Sequence, residues 1–456
     1  MNDMEIKLEI PTAQVGKFSD IKLCYYDSSD KLRKVSLNID FNNLYRFSED
    51  TKSLSFDFFL IASTIYGIDN LITRYEYSIN GWTRELKVTF PVRNVAKWNA
   101  SAKILNDALT FLTGDSWDIS FEKLNVRSIF KEKKKKKILY DKSNYQFISL
   151  FSGGLDSLVG AVDLLESLSS TKRLLLVSHF DSNSAGPNTD QRTLNSYLET
   201  IYKNKSDWIQ AKVYLSHHDV DAEKIEIETS YRSRSILFIA IGSYLQNNVK
   251  NSNKLIIPEN GTISLNYPMT PSRSSSLSTR TTHPYFFLKI QELFDQIGIK
   301  CKLENPYSLL TKGEIVANCK NLTNLKGIYE SSVSCSKSGR KMNWDRKTGT
   351  RHCGVCIPCI YRRSGLHKSG LDQQLYGIDI LNKVNPGHHD DVLALANYLT
   401  TPVSKEEVKR GLITNSSSTI ENLDDYADLI LLSREEVKKW IIDKGNKKIK
   451  NLFKIK

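Results

Sequence analysis

The feature that most constrains the fold is a regular alternation of short apolar runs and longer amphipathic segments between residues 146 and 303. The short runs predict strands and the longer segments predict helices, and the pair repeats about five times. Strands that are joined through helices pair in parallel, with helices on both faces of the sheet. The sequence therefore predicts an α/β fold on a doubly wound parallel sheet, which binds ligands at the carboxyl ends of its strands. The predicted strands are 146–151, 174–177, 213–215, 255–257 and 300–303, and the predicted helices are 156–168, 189–202, 233–245 and 283–296.

A short motif, called the glycine loop below, lies between the first of these strands and the helix that follows. It reads Ser152, Gly153, Gly154, Leu155, Asp156 and Ser157. A helix start offers unpaired N–H groups and the positive end of the helix dipole, and adjacent glycines let the backbone approach an anion. The serine hydroxyls can bind phosphate oxygens, and the Asp156 carboxylate can hold Mg²⁺. No Gly-Lys-Ser/Thr follows, so this is not a Walker A loop, and an ordinary Gly-Gly turn is the alternative.

Four of the seven cysteines lie close together in sequence, at Cys335, Cys353, Cys356 and Cys359. Four thiolates with this C-x17-C-x2-C-x2-C spacing suit tetrahedral Zn²⁺ and leave no open position for water. We therefore predict a structural zinc site, with an iron–sulfur cluster as the alternative. The other three cysteines are scattered and are expected to be small buried residues.

The chain has 456 residues, which is too long for one ordinary hydrophobic core. The pattern of apolar residues that predicts strands and helices changes twice along it. We predict a β-rich N-terminal domain over 1–140, the α/β domain with the zinc site over 141–370, and a helical region over 371–456. In the first of these, 75–79 and 82–90 read as two strands that are joined by Asn80-Gly81, a pair typical of hairpin turns. A helix over 94–112 and a strand over 117–121 follow.

The formal net charge is +13 at pH 7, and the run 131–137 contains six lysines and one glutamate. We read this run as a solvated linker, although the charge would suit a nucleic-acid partner without requiring one. No run of about 18 apolar residues occurs, so no membrane-spanning helix is predicted. The segment 1–7 lacks the apolar stretch of a secretory signal, and we expect a cytoplasmic protein.

The glycine loop followed by the cysteine cluster resembles the layout of the 7-cyano-7-deazaguanine synthases, a family of PP-loop ATP pyrophosphatases, over roughly residues 145–370. The loop matches the family's Ser-Gly-Gly-x-Asp-Ser signature. The segment from Cys353 to Gly370 is similar to the family's Cys-Gly-x-Cys-x-x-Cys region, which an arginine follows. With its leader and its tail, the chain also resembles the synthase-like components of Qat anti-phage cassettes.

The resemblance implies an ATP-dependent C–N ligase that binds ATP, Mg²⁺ and Zn²⁺. It implies that a carboxylate, that of 7-carboxy-7-deazaguanine, is adenylated with release of pyrophosphate. An amine then displaces AMP to give an amide, a nitrile or a conjugate with a partner protein of a defence operon. An exposed hairpin edge in the leader would suit such a partner, by strand addition.

The predicted catalytic residues are Asp156, Ser157 and Arg234, of which Arg234 is matched to an arginine in the family's nucleotide-binding segment. The predicted nucleotide contacts are residues 152–157 together with His179, Asp181, Arg232 and Arg234. Arg232 is the second choice for the matched arginine, and His179 reads equally well as a structural histidine. The family's Tyr-Gly-Gln-like turn is replaced by the segment 178–181, and the stretch 267–284 is an unusual insertion.

Two other functions stay open at this point. The first is a tRNA-modifying adenylase of another PP-loop branch, which the basic charge favours but the four-cysteine spacing does not. The second is an ATP-binding component of a defence complex without enzymatic activity. An intact glycine loop with Asp156 argues against the second, because a binding-only descendant need not keep it.

Overall fold

The computed structural model describes residues 4–10, 21–125, 140–183, 186–230, 232–269, 280–381, 390–416 and 421–455. The lysine-rich run 131–137 and most of the insertion at 267–284 lie outside the described residues, so the predictions about them stay predictions. No described helix is both long enough and apolar enough to cross a membrane.

One sheet of ten strands organises the described part of the chain. Its strands are β1 (Met4–Glu9), β2 (Lys22–Tyr26), β3 (Leu32–Ile39), β4 (Glu85–Val92), β5 (Ser116–Lys123), β6 (Tyr145–Leu150), β7 (Arg173–Phe180), β8 (Ser206–Asp219), β9 (Lys254–Ile256) and β10 (Lys302–Glu304). They lie in the order β10-β9-β6-β7-β8-β3-β2-β1-β4-β5.

The half of the sheet from β10 to β8 is parallel throughout, as the strand–helix alternation predicts. Strand β3 then pairs antiparallel with β8, so the five leader strands extend the same sheet. Within the leader, β1 pairs antiparallel with β2 and parallel with β4. The prediction of an α/β fold with a large, mostly parallel sheet is confirmed, while the PP-loop assignment and the three-domain division stay predictions.

The described helices lie between the strands and after the last of them. They are α1 (Phe41–Ser48), α2 (Leu54–Leu71), α3 (Arg74–Tyr77), α4 (Val95–Ala100), α5 (Ala102–Thr113), α6 (Leu155–Glu166), α7 (Pro187–Ile201), α8 (Arg234–Gln246), α9 (Gly261–Leu265), α10 (Pro284–Ile297), α11 (Lys312–Ala317), α12 (Leu322–Lys326), α13 (Ile357–Lys368), α14 (Asp390–Thr400), α15 (Lys405–Ser416), α16 (Leu423–Lys444) and α17 (Lys447–Leu452).

Helices cover both faces of the parallel half of the sheet. Along β7, Leu175 and Val177 belong to the core that contains α8, whereas Leu174 and Leu176 belong to the core that contains α6. Successive side chains of a strand point to opposite faces, so this alternation places α8 and α6 on opposite sides. The glycine loop therefore lies where β6 meets α6, at the carboxyl end of a central strand.

The leader contains a long helix that the sequence reading missed. Every residue of α2 after Leu54 is buried, and the helix packs against α8. Ser53 caps its start by accepting a hydrogen bond from the Phe56 N–H. A helix that is buried on all sides has no polar face, so it lacks the 3.6-residue periodicity by which helices are found.

The predicted hairpin in the leader is wrong in its first strand. Residues Arg74–Tyr77 form α3, and only a single bridge, Ser78 to Arg84, precedes β4. The Arg74 guanidinium is buried and donates to Asp115 at 2.7 Å, so a tertiary ion pair outweighs the local strand pattern. The proposed docking edge of this hairpin is therefore absent, and the outer leader strand is β5.

Predicted helical segments are divided or joined differently in the structure. The helix expected over 94–112 is divided at Ser101 into α4 and α5. Within the helical region expected over 371–456, the sequence pattern predicts separate segments at 421–432 and 434–442, but they form one continuous helix, α16. The helical character of the region after residue 370 is confirmed by α14, α15, α16 and α17.

Candidate active site and metal centre

The glycine loop is held in a conformation that needs its first glycine. Gly153 has φ +89°, and a Cβ there would lie 3.3 Å from Cγ of Gln191. Gly154 caps α6, and its carbonyl accepts a hydrogen bond from the Ser157 hydroxyl at 3.0 Å. The Ser152 and Ser157 hydroxyls lie 3.2 Å apart. Both serines therefore converge at the start of α6, where the unpaired N–H groups of the first helical turn collect.

Two adjoining cavities meet at the glycine loop, and both are lined by Ser152, Ser157, Glu259 and Ser334. The large cavity, of about 430 Å³, also has a wall of Phe238, Ile239 and Ile257 and reaches Arg234. The small cavity, of about 190 Å³, is also lined by Gly154, Asp156 and Lys312. An extended ligand would thus meet an apolar wall beside Arg234 in the large cavity and the Asp156–Lys312 pair in the small cavity.

A buried ion pair forms the floor of the small cavity. Lys312 Nζ donates to Asp156 Oδ1 at 2.7 Å, and both side chains are buried. Asn260 Nδ2 donates to the other carboxylate oxygen, also at 2.7 Å. Lys312 begins α11, which Thr311 and Glu314 start with a reciprocal capping box.

Two neighbouring carboxyl groups differ in protonation. Burial alone would raise the pKa of Asp156, but the Lys312 ammonium and the surrounding hydrogen bonds outweigh burial and lower this pKa to about 2. Burial and the Asp156 carboxylate together raise the pKa of Glu259 well above its usual value. The Lys312 ammonium thus favours the ionised form of Asp156, whereas burial and the Asp156 charge favour the protonated form of Glu259.

Arg234 is the positive group of the large cavity. It is the first residue of α8, and its guanidinium lies 5.2 Å from the centre of the Phe238 ring. Within the described residues it forms no ion pair, in contrast to Arg351, which lines the same cavity and is paired with Asp190. Arg234 therefore offers its donors to a ligand beside the glycine loop.

His179, predicted to contact the nucleotide, lies outside both cavities. Its Nε2 lies 3.0 Å from the Val213 carbonyl, and its ring packs against Tyr66 and Phe238. Burial first, and then the Arg234 charge, lower its pKa to about 3, so the ring is neutral. The alternative of a structural histidine fits this environment.

Asp181 and Arg232 are also separated from the loop. Asp181 accepts a hydrogen bond from the Tyr66 hydroxyl at 2.8 Å. The Arg232 guanidinium lies 5.4 Å from the centre of the Trp82 ring, among leader residues. Neither side chain lines a cavity beside the glycine loop. Of the two arginines considered, the structure brings only Arg234 to the loop.

The four clustered cysteines form a compact centre that could hold a metal ion such as zinc. Their sulfur atoms all lie within 4.8 Å of one another, and two of the pairs are 3.9 Å apart. Four ligands at Zn–S distances of about 2.3 Å in a tetrahedron lie about 3.8 Å apart, so the spacing fits zinc. Gly354 has φ +86°, and a Cβ there would clash with the Ile378 carbonyl, so the turn between two ligands needs glycine.

The metal centre and the glycine loop share a segment of chain. Val333 N donates to the Gly153 carbonyl at 2.9 Å, and Ser334 Oγ accepts from Leu155 N at 3.4 Å. The next residue is Cys335, one of the four sulfur ligands. Geometry at the centre is thereby linked to geometry at the loop through two consecutive residues.

Several residues of the site were missed or left without a role by the sequence reading. Glu259, at the end of the predicted strand 255–257 and followed by Asn260-Gly261, reads from the sequence either as a ligand contact or as a turn residue, and nothing singles out Lys312 or Ser334. The Thr311-x-x-Glu314 pattern could have revealed the start of α11, and therefore a lysine in its first turn. Nothing local shows that this lysine meets Asp156.

No protein-family model matches this chain, and no match is found among curated proteins. Fold and site together define an α/β protein with a mostly parallel sheet, a glycine loop between two cavities, and a four-cysteine centre suited to a metal ion.

Proposed function

We propose that the protein is an ATP pyrophosphatase of the PP-loop class that adenylates a carboxylate and transfers the acyl group to an amine. One observation carries the proposal: the glycine loop at the start of α6 lies between a cavity that contains Arg234 and the Asp156–Lys312–Glu259 cluster. Such a loop supplies backbone donors and a helix dipole to phosphates. The apolar wall of the large cavity would then face the base, and the charged groups around the glycine loop would face the phosphates.

The large cavity suits a nucleotide by size and by lining. About 430 Å³ falls in the range of small-molecule sites, and Phe238, Ile239 and Ile257 offer an apolar surface to a planar base. Arg234 and the loop serines would bind the phosphates, since guanidinium groups and hydroxyls are good phosphate donors. Asp156 and Glu259 would hold Mg²⁺, which offsets negative charge on the leaving pyrophosphate when it is bound.

The reaction balances as two substitutions. A carboxylate oxygen attacks the α-phosphorus of ATP, the bond to the bridging oxygen breaks, and pyrophosphate leaves. An amine nitrogen then attacks the acyl carbon, loses a proton, and displaces AMP to leave an amide. Lys312 and Arg234 would stabilise negative charge that develops on the phosphates during the first step.

We propose 7-carboxy-7-deazaguanine as the carboxylate, and a role in anti-phage defence, on the basis of the resemblance to the 7-cyano-7-deazaguanine synthases and Qat components. The amine is ammonia or an amine of a partner protein. A nitrile would require a second activation, of the amide. The loss of the expected hairpin edge removes one argument for conjugation to a partner and leaves the ligase chemistry unaffected.

The experiment is to incubate the purified metal-loaded protein with Mg²⁺, ATP labelled at the α-phosphate, 7-carboxy-7-deazaguanine and ammonia. We expect labelled AMP, pyrophosphate and a deazaguanine amide or nitrile by mass spectrometry. Asp156→Asn should abolish turnover, whereas Lys326→Met, a substitution of an exposed lysine, should not. ADP and phosphate as the only products would refute the class. AMP formation only with other carboxylates would refute the substrate.

A further inference from the structure

Arg362 is a buried cation without an anionic partner among the described residues. It lies in α13, three residues after the ligand Cys359, and is fully buried. Its guanidinium donates to neutral acceptors: the Tyr329 carbonyl at 2.7 Å, the Ser332 hydroxyl at 3.0 Å and the Gln374 side-chain oxygen at 2.9 Å. A buried charge is costly unless other charges or hydrogen bonds compensate it, so its position needs a reason.

The cysteine centre supplies a compensating charge. Four thiolates around Zn²⁺ carry more negative charge than the metal neutralises, and Cys359 lies one helical turn before Arg362. The neighbouring Arg363 is different, because it is paired with the carboxylates of Asp372 and Asp379. A zinc ion held by the four thiolates would therefore leave a negative charge one helical turn from Arg362, where no carboxylate pairs with it among the described residues.

Arg362 also reaches the glycine loop through one serine. Its Nη1 donates to Ser334 Oγ at 3.4 Å, and the same oxygen accepts the Leu155 N–H at 3.4 Å. A hydroxyl oxygen has two acceptor sites, so Ser334 can serve both donors at once. Leu155 is the first residue of α6, and its N–H direction determines how that turn presents its other N–H groups.

We propose that Arg362 is a positioning residue that, through Ser334, fixes the first turn of α6 and ties the orientation of the phosphate-binding N–H groups to the metal centre. This inference rests on the proposed function of the glycine loop. Arg362 makes no contact with the cavities described above, so its effect would be transmitted and not direct.

The test is a double-mutant cycle that measures binding of magnesium pyrophosphate by calorimetry and amide exchange of residues 152–158 by mass spectrometry. Ser334→Ala and Arg362→Lys should each weaken binding about fivefold, the effect of one lost hydrogen bond, and should accelerate exchange. The double variant should bind pyrophosphate no more weakly than the weaker-binding of the two single variants, because both substitutions act on the Leu155 N–H. Ser334→Thr, which keeps the hydroxyl oxygen, should leave the amide exchange of residues 152–158 as it is in the unmodified protein.

Zinc content is measured for every variant, and Arg363→Lys is the matched control in the same helix. We expect Arg363→Lys to leave both readouts unchanged. Additive effects of the two substitutions, an equal effect of Arg363→Lys, or unchanged exchange in Ser334→Ala would each overturn the inference. Loss of zinc from Arg362→Lys would also overturn the inference, because the arginine would then act on the metal centre and not through Ser334. If the unmodified protein fails to bind pyrophosphate, the proposed function fails, while the exchange measurement still tests the inference.

Discussion

Lys312 Nζ and Asp156 Oδ1 lie 2.7 Å apart although their residues are 156 positions apart in the chain. The pair joins the first turn of α11 to the first turn of α6, and Glu259 lies beside it with a raised pKa. The lysine therefore favours the ionised form of Asp156 and contributes to the charge that the small cavity presents to a phosphate or a cation.

We predict that Lys312→Met lowers the free energy of unfolding by about 3 kcal/mol at pH 8, because it strands a buried carboxylate. The loss should be smaller at pH 5. Without the ammonium, burial raises the pKa of Asp156, so lowering the pH returns a proton and relieves the penalty. Denaturant titrations at both pH values check this, with exposed Lys326→Met as the control. An equal loss at the two pH values would contradict it.

Arg234→Ala should weaken ATP binding about tenfold or more, the cost of losing a hydrogen bond from a charged donor. Arg232→Ala is the matched control, since Arg232 packs on Trp82 outside the cavity, and it should leave the dissociation constant unchanged. Calorimetry with magnesium and a non-hydrolysable ATP analogue measures both. Equal weakening by the two substitutions would place the nucleotide elsewhere.

We expect about one zinc ion per chain, bound by the four cysteines. Cys356→Ser should remove the metal and lower the melting temperature, because binding of a structural metal is coupled to folding. Cys301→Ser, at a buried cysteine that does not belong to the cluster, should retain zinc. Elemental analysis and thermal melts give the result. Iron with a visible absorption band would show instead that the centre holds an iron–sulfur cluster.

Acidification should destabilise the protein through its buried histidines, of which His179 and His283 lie away from the four clustered cysteines. Burial lowers the pKa of His179 and of His283 to about 3, with smaller contributions from the Arg234 and Arg280 charges. The unfolded chain binds these protons below about pH 6.5 and the folded one does not, so stability is full above that pH and falls as the pH drops towards 3. At pH 5.5, one unit below the unfolded value, each histidine should cost about 1.4 kcal/mol.

His179→Gln can keep a donor to the Val213 carbonyl. It should remove the contribution of His179 to the pH dependence of the free energy of unfolding. It should also leave ATP binding unchanged, because His179 lies outside the cavities. His217→Gln changes an exposed ring and should leave the unfolding profile as it is. An unaltered profile in His179→Gln, or a loss of ATP binding, would show that the ring is not simply structural.

Local signals made the parallel half of the sheet predictable. The glycine loop, the apolar strand before it and the helix after it are contiguous, and each of them carries its own pattern. Strand β8 was placed correctly but much shortened, because only 213–215 was read as strand whereas Ser206–Asp219 forms it. The cysteine cluster was predictable for the same reason, since three of its members lie within seven residues, 353–359.

Long-range contacts explain what sequence reasoning missed. Helix α2 shows no polar face because α8 and the sheet enclose it, and α3 replaces a strand because Arg74 reaches Asp115. Likewise, His179 lies near the end of a predicted strand, where ligands are expected to bind, but the Tyr66 ring from α2 packs against it. Each of these outcomes depends on residues far away in the chain, which no local window contains.

The antiparallel pairing of β3 with β8 has a practical meaning for dissecting this protein. Cutting the chain between β5 and β6 would leave β8 with unpaired backbone groups and α8 without its α2 neighbour. A fragment that begins at β6 should therefore not fold as a minimal enzyme. The two halves, produced separately and then mixed, should instead reassemble by completing one sheet, which makes this junction a natural place for a split-protein reporter.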